Sequence, residues 1–184
     1  MGGLWGDFNG QHLFVHTLHN GGMSVARDPS LAEALGHKPT VLAEGIGPDG
    51  EALVGTKSSL ALRRDGAWRV FGWVDVERGS WNGETQTFRW WTTHEGEKFE
   101  VTLEDEGRLP ELFLERVQAS TVATFHYDLD SGGELRIVVR RALDGSDEMH
   151  FFALTSGGAT LADPGTREYA IAETDRIKAE YAVD

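Results

Sequence analysis

Cysteine is absent from the chain, which excludes a disulfide framework, an iron–sulfur cluster, thiolate zinc and a cysteine nucleophile. Positive charge is scarce: 17 Lys and Arg stand against 30 Asp and Glu, for a formal charge of −13. Such a surface disfavours phosphate backbones and anionic lipid as main partners, so no nucleic-acid partner is expected. No run approaches the ~18 apolar residues of a membrane span. The N-terminal segment also lacks a basic start followed by an apolar block, so neither a span nor a signal peptide is expected, and the expected location is cytoplasmic. A chain of 184 residues fits one domain with at most a short appendage. Near this size, folding buries about 70% of the unfolded surface without a disulfide or metal staple.

Glycine sets the organisation. Residues 1–27 carry Gly at 2, 3, 6, 10, 21 and 22 around Trp5, Phe8 and Leu13-Phe14-Val15. Each Gly costs about 1 kcal/mol against Ala inside a helix, so this stretch reads as an extended N-terminal arm, with a short strand at Leu13–Leu18 that docks elsewhere. Residues 28–184 read as a single α+β domain. Asp28-Pro29 opens a short helix that Gly36 stops, with Leu31, Ala34 and Leu35 as its apolar stripe. Six strands are then predicted at 8–12-residue spacing: Val41–Ile46, Glu51–Thr56, Leu60–Arg63, Trp68–Val76, Thr85–Trp91 and Phe99–Leu103. The Pro48-Asp49-Gly50, Asp65-Gly66 and Trp81-Asn82-Gly83 turns punctuate them. This pattern predicts a strongly bent antiparallel sheet or a small barrel. A helix follows at Leu109–Val117, then strands at Thr121–Tyr127, Leu135–Arg141 and Met149–Leu154. Asp163-Pro164 opens a last helix with Ala170, Ile171, Thr174, Ile177 and Tyr181 as its buried face.

Several motifs reduce to turns. Gly45-Ile46-Gly47-Pro48-Asp49-Gly50 matches G-x-G-x-x-G, but a dinucleotide fingerprint needs a helix after it and here a strand follows. Asp128–Glu134 has the carboxylates of a calcium loop without its length or flanking helices, and reads as a hairpin tip. Gly55-Thr56-Lys57-Ser58-Ser59 lacks the context of a phosphate loop. There is no G-x-S-x-G, H-E-x-x-H or S-x-x-K, and Arg136, Arg140 and Arg141 divide between the two faces of one strand.

Two groups of residues carry functional readings. His12, His16 and His19 are three of seven His gathered in one short span; imidazoles suit zinc, nickel or copper, and on a helix all three would share a face. On a strand, His12 and His16 share a face and His19 points away. The six Trp are the second group. Trp68 and Trp73 are five apart and Trp90 and Trp91 adjacent, so on strands one of each pair lies off the main core unless another element covers it. Large exposed aromatics mark contact surfaces, which makes Arg89, Trp90 and Trp91 a candidate ligand or partner face.

The series Leu53-Val54-Gly55-Thr56, Leu60-Ala61-Leu62, Val70-Phe71-Gly72-Trp73-Val74-Asp75-Val76-Glu77, Trp81 and Leu109-Pro110-Glu111-Leu112 with Glu115–Ser120 resembles a family of small uncharacterised actinobacterial proteins with a bacterial pleckstrin-homology-like (PH-like) pattern. The resemblance runs over about residues 29–182 and includes Arg140-Arg141 and Asp163-Pro164. It implies a PH-like split barrel or related α+β fold with two to three helices, and it supplies no catalytic residues. The arm at 1–27 and the segment Trp90–Lys98 depart from that pattern.

The function expected from all this is a non-enzymatic binding or interaction module for a protein or small ligand, with no cofactor. One alternative is a metal-binding protein or metal-dependent enzyme using His12, His16 and His19. Another is a structural subunit of a homo-oligomer built through the arm Trp5–Leu18. PH-like folds host unrelated functions, so fold alone does not choose among them.

Overall fold

The computed structural model describes residues 24–94 and 96–181. The predicted arm, including the strand at Leu13–Leu18, lies outside them apart from its last few residues. The chain divides into two compact units, one holding the described residues through Ala119 together with Leu143–Gly145, the other holding Ser120–Ala142 and Ser146 onward.

In the first unit, helix α1 (Pro29–Leu35) starts where the sequence dictates. The Asp28 carboxylate accepts from the Ser30 amide at 2.9 Å and the Ser30 hydroxyl at 2.6 Å, and Gly36 ends the helix at φ 72°. Four strands follow as an antiparallel meander: β1 (Val41–Ile46), β2 (Ala52–Thr56), β3 (Ser59–Arg64) and β4 (Ala67–Gly72). All five residues of β2 are buried, because this strand is covered on both faces. Ala52 and Val54 pack with Leu31 of α1, while Leu53 faces the main core. The Trp68 indole closes the α1 side by donating to Ser30 Oγ at 2.9 Å.

The predicted strand Trp68–Val76 is broken. It stops at Gly72, turns through a 3-10 helix at Trp73–Asp75, and resumes as β5 (Val76–Asn82), a strand the sequence reading omits. Continuous pleating would send neighbouring side chains to opposite faces, whereas the corner buries Trp73 and Val74 together. The Trp73 indole then donates to the Thr56 carbonyl at 3.1 Å. Strands β5, β6 (Thr87–Thr92) and β7 (Lys98–Thr102) form a second antiparallel meander. Its end meets β1 through an isolated Ile46–Asp105 bridge. Two sheets thus stand in place of one bent sheet, and they do not close into a barrel.

Helix α2 (Leu109–Ser120) buries Leu109, Leu112, Phe113 and Val117 in the core of this unit. Two glycines let it approach. A methyl group on Gly55 of β2 would stand 2.5 Å from Leu112, and one on Gly79 of β5 would stand 2.5 Å from the Phe113 ring. Phe113 lies edge-on to Phe88 at 4.9 Å and to Trp73 at 5.8 Å, and Trp90 stacks on Phe99 at 5.3 Å.

In the second unit, β8 (Thr121–Asp128), β9 (Glu134–Arg141) and β10 (Met149–Ser156) form an antiparallel sheet in the order β10-β9-β8. Helix α3 (Pro164–Tyr181) starts with Asp163 accepting from the Thr166 amide at 2.7 Å. Ala170 and Ile177 pack on Leu135, Ile137 and Val139 of the sheet. The predicted buried face needs one correction: Ile171 is 55% exposed. Successive helical residues are rotated by about 100°, so with Ala170 on the sheet its neighbour points away. The α+β class and the closing helix match the sequence reading, with three antiparallel sheets and three helices among the described residues.

Two stability predictions follow from these contacts. Gly79→Ala should cost about 1–3 kcal/mol by overpacking against Phe113, and combining it with Phe113→Leu should cost less than the sum of the two single changes. Additive costs in denaturant titrations would refute the close approach. Asp28→Ala should cost about 0.5–2 kcal/mol at neutral pH as a lost helix cap. Hydrogen bonds from the Ser30 hydroxyl and amide, with the Arg63 guanidinium at 2.8 Å, hold the Asp28 carboxyl below its ordinary value. A carboxyl depressed on folding stabilises above its unfolded pKa and loses that contribution as pH falls through the folded one. The gap between parent and Asp28→Ala should therefore narrow below about pH 4, as denaturation midpoints at pH 7 and pH 3 would read directly.

Candidate functional site

His12, His16 and His19 lie outside the described residues. Among the described residues no group of three His, Asp or Glu side chains is arranged to hold a metal ion. Two His–carboxylate pairs occur among the described residues, His126 with Glu134 and, at 4.0 Å, His94 with Asp75. The hydrogen bond from His126 is the main cause holding the Glu134 carboxyl below its usual range. Both imidazoles are mostly exposed. The Gly45–Gly50 motif is the β1–β2 turn leading into a strand, and Asp128–Glu134 is the β8–β9 hairpin tip.

Arg89, Trp90 and Trp91 sit in the middle of β6, and the pleat separates them. Trp90 is fully buried among Phe71, Phe88 and Phe99. Its ring is therefore core rather than contact surface, and its Nε1 finds no hydrogen-bond acceptor among the described residues. Arg89 and Trp91 are half-buried on the opposite face of the sheet. There the Arg78 guanidinium lies 4.3 Å from the Trp91 ring centre. Arg89 donates to Glu100 at 2.6 Å, and Lys98 pairs with the same carboxylate at 3.2 Å. These two hydrogen bonds hold the Glu100 carboxyl below its ordinary value. The cations of this face are thus matched by neighbours in their own sheet.

The second unit holds a better-formed recess. Between β10 and α3 lies an open groove of about 250 Å³ floored by Phe151, Ala153, Leu161 and Ala170. On the helix side stand Arg167, Ile171, Thr174 and Lys178, with the Asp175 carboxylate beside Lys178. Their spacing of four, three and four residues keeps them on one stripe, about 60–100° round from the Ala170/Ile177 line. Lys178 Nζ lies 5.8 Å from the Phe151 ring centre and 3.9 Å from Asp175. Arg167 makes no ion pair within 4 Å among the described residues. The sequence pattern hides this groove by placing Ile171 on the helix underside. The available signal was the second stripe beside it, together with a strand at Met149–Ser156 that contains no Asp, Glu, Lys or Arg.

The two tryptophans give a direct check on this assignment. Trp90→Ala should cost about 3–5 kcal/mol as a core cavity. Trp91→Ala should cost about 1 kcal/mol, the scale of a partly exposed cation–π contact. Similar losses in thermal or denaturant unfolding would contradict the opposite placement of the two rings. Compared with known protein families, curated proteins and solved structures, the chain matches none.

Proposed function

We propose that this chain is a non-enzymatic interaction module for a protein partner, with the groove between β10 and α3 as its contact site. The observation that carries the reading is the open apolar floor beside an exposed Ile171, with Arg167, Lys178 and Asp175 at its rim. Enclosed small-molecule sites measure roughly 300–1,000 Å³ and bury most of their ligand. A smaller, open groove suits side chains projecting from a protein segment instead. For the first unit we propose a PH-like reading, supported by a four-stranded and a three-stranded meander followed by a helix that packs into their core.

A photo-crosslinking side chain at position 171, compared with one at the exposed Glu33 of α1, tests the site in the native host. The expected result is one discrete adduct from position 171, absent from position 33 and lost when Leu161→Asp charges the groove floor. No adduct at 171, or the same adducts at both positions, would sink the proposal.

A further inference from the structure

Three sheets with two edges each give six edge strands: β1, β4, β5, β7, β8 and β10. An unpaired strand edge is a template for another strand, and proteins blunt such edges with bulges or charged residues. β1, β5 and β8 each carry a bulge. β4 carries Arg69, and β7 carries Lys98 and Glu100. β10 has neither device. Its eight residues, Met149–Ser156, pair with β9 in unbroken register and include no Asp, Glu, Lys or Arg. Among the described residues no strand pairs with its outer edge.

We infer that β10 accepts an extended segment of a partner protein as a fourth strand, and that this segment carries two carboxylates flanking an apolar residue. The inference rests on the groove being the contact site. An added strand lies about 4.8 Å outside β10 and turns every second side chain toward α3. Phe151 and Ala153 lie on that same face of β10, packed toward α3. The lengths agree, since eight strand residues span about 26 Å and the 18 residues of α3 about 27 Å.

Charge sets the partner's pattern. Arg167 and Lys178 stand about 16 Å apart along the helix, with Ile171 between them. On a strand, side chains at i, i+2 and i+4 share a face and span about 13 Å, a gap that long side chains close. The fitting pattern is an acidic residue, an apolar residue opposite Ile171, and a second acidic residue at alternate positions. Arg167 is the stronger anchor, because Lys178 already has Asp175 at 3.9 Å. Arg167 also lies within electrostatic reach of Asp163, the carboxylate that accepts from the Thr166 amide at 2.7 Å, but makes no ion pair with it within 4 Å. A second copy fits less well: pairing two β10 edges would bring the same basic stripes together, and each chain carries −13.

The test uses the full chain and a fluorescein-labelled Thr-Glu-Thr-Val-Thr-Glu-Thr peptide, read by anisotropy. Two control peptides replace both Glu by Lys, or N-methylate the backbone amides along one edge. Strand addition uses main-chain hydrogen bonds, so the acidic peptide should bind and each control should bind at least about tenfold more weakly. Arg167→Glu should weaken the acidic peptide about tenfold while leaving the thermal midpoint in place. No binding of the acidic peptide up to about millimolar concentration (where affinity falls to ~4 kcal/mol) overturns the inference. Equal binding of the N-methylated peptide also overturns it. If the position 171 adduct still forms in either case, the groove reading stands and only strand addition falls. A concentration-dependent dimer with exchange-protected β10 amides overturns it in favour of a second copy.

Discussion

The seat of Phe113 against Gly79 is the contact on which the first unit depends. An aromatic ring can touch a strand backbone only where the strand has no side chain, and β5 provides that place opposite α2. From this position Phe113 meets Phe88 of the second sheet and Trp73 of the corner between sheets. Gly55 makes the matching allowance for Leu112 on the first sheet. The helix therefore braces two meanders that also meet through the corner, the Ile46–Asp105 bridge and the contacts of Phe71 with Trp90 and Phe99. The break after Gly72 belongs to the same arrangement, because a straight strand would carry Trp73 past the ring it packs against.

Adjacent tryptophans on a strand divide their work. Trp90 completes an aromatic layer with Phe71, Phe88 and Phe99, while Trp91 lies under Arg78 on the other face. The surrounding ions are paired within the sheet, Arg89 and Lys98 sharing Glu100. Exposed pairs of this kind contribute little to stability, but they leave few unmatched charges to recruit a ligand. The groove beside α3 differs in chemistry, because its floor is apolar and Arg167 makes no ion pair within 4 Å among the described residues.

Turn chemistry made much of the fold legible. Pro48-Asp49-Gly50, Asp65-Gly66 and Ser131-Gly132-Gly133 each mark a hairpin, and Asp28-Pro29 and Asp163-Pro164 mark helix starts. The corner at Trp73–Asp75 was not legible, since apolar alternation continues through it and only tertiary packing bends the chain. β5 went with it, its Arg78-Gly79-Ser80 centre showing too few apolar residues for a strand signal. Ile171 looked buried because it neighbours Ala170 in an apolar run, and one helical step was enough to reverse the assignment. The groove needs a fact that no local pattern contains, namely which strand stands at the edge of its sheet. Arg89 and Trp91 are named by the adjacency of Trp90 and Trp91 on a predicted strand, but the charge matching around them depends on cross-strand register.

Net charge and local charge act at different ranges in this molecule. At physiological ionic strength the Debye length is about 8 Å, so carboxylates scattered over the rest of an acidic chain are largely screened at the groove. Their sum still matters for two identical copies, where a charge of −13 on each opposes approach. An edge strand without charge or bulge is hazardous in a protein of neutral balance, because copies could pair along it. Here the overall charge disfavours that pairing, while in the proposed complex Arg167 and Lys178 would act only at contact distance. A short acidic segment feels mainly the second effect, since its few charges must come within reach of the helix before they are read. The same imbalance that disfavours nucleic acid as a main partner is thus compatible with the proposed addition of an acidic segment at β10.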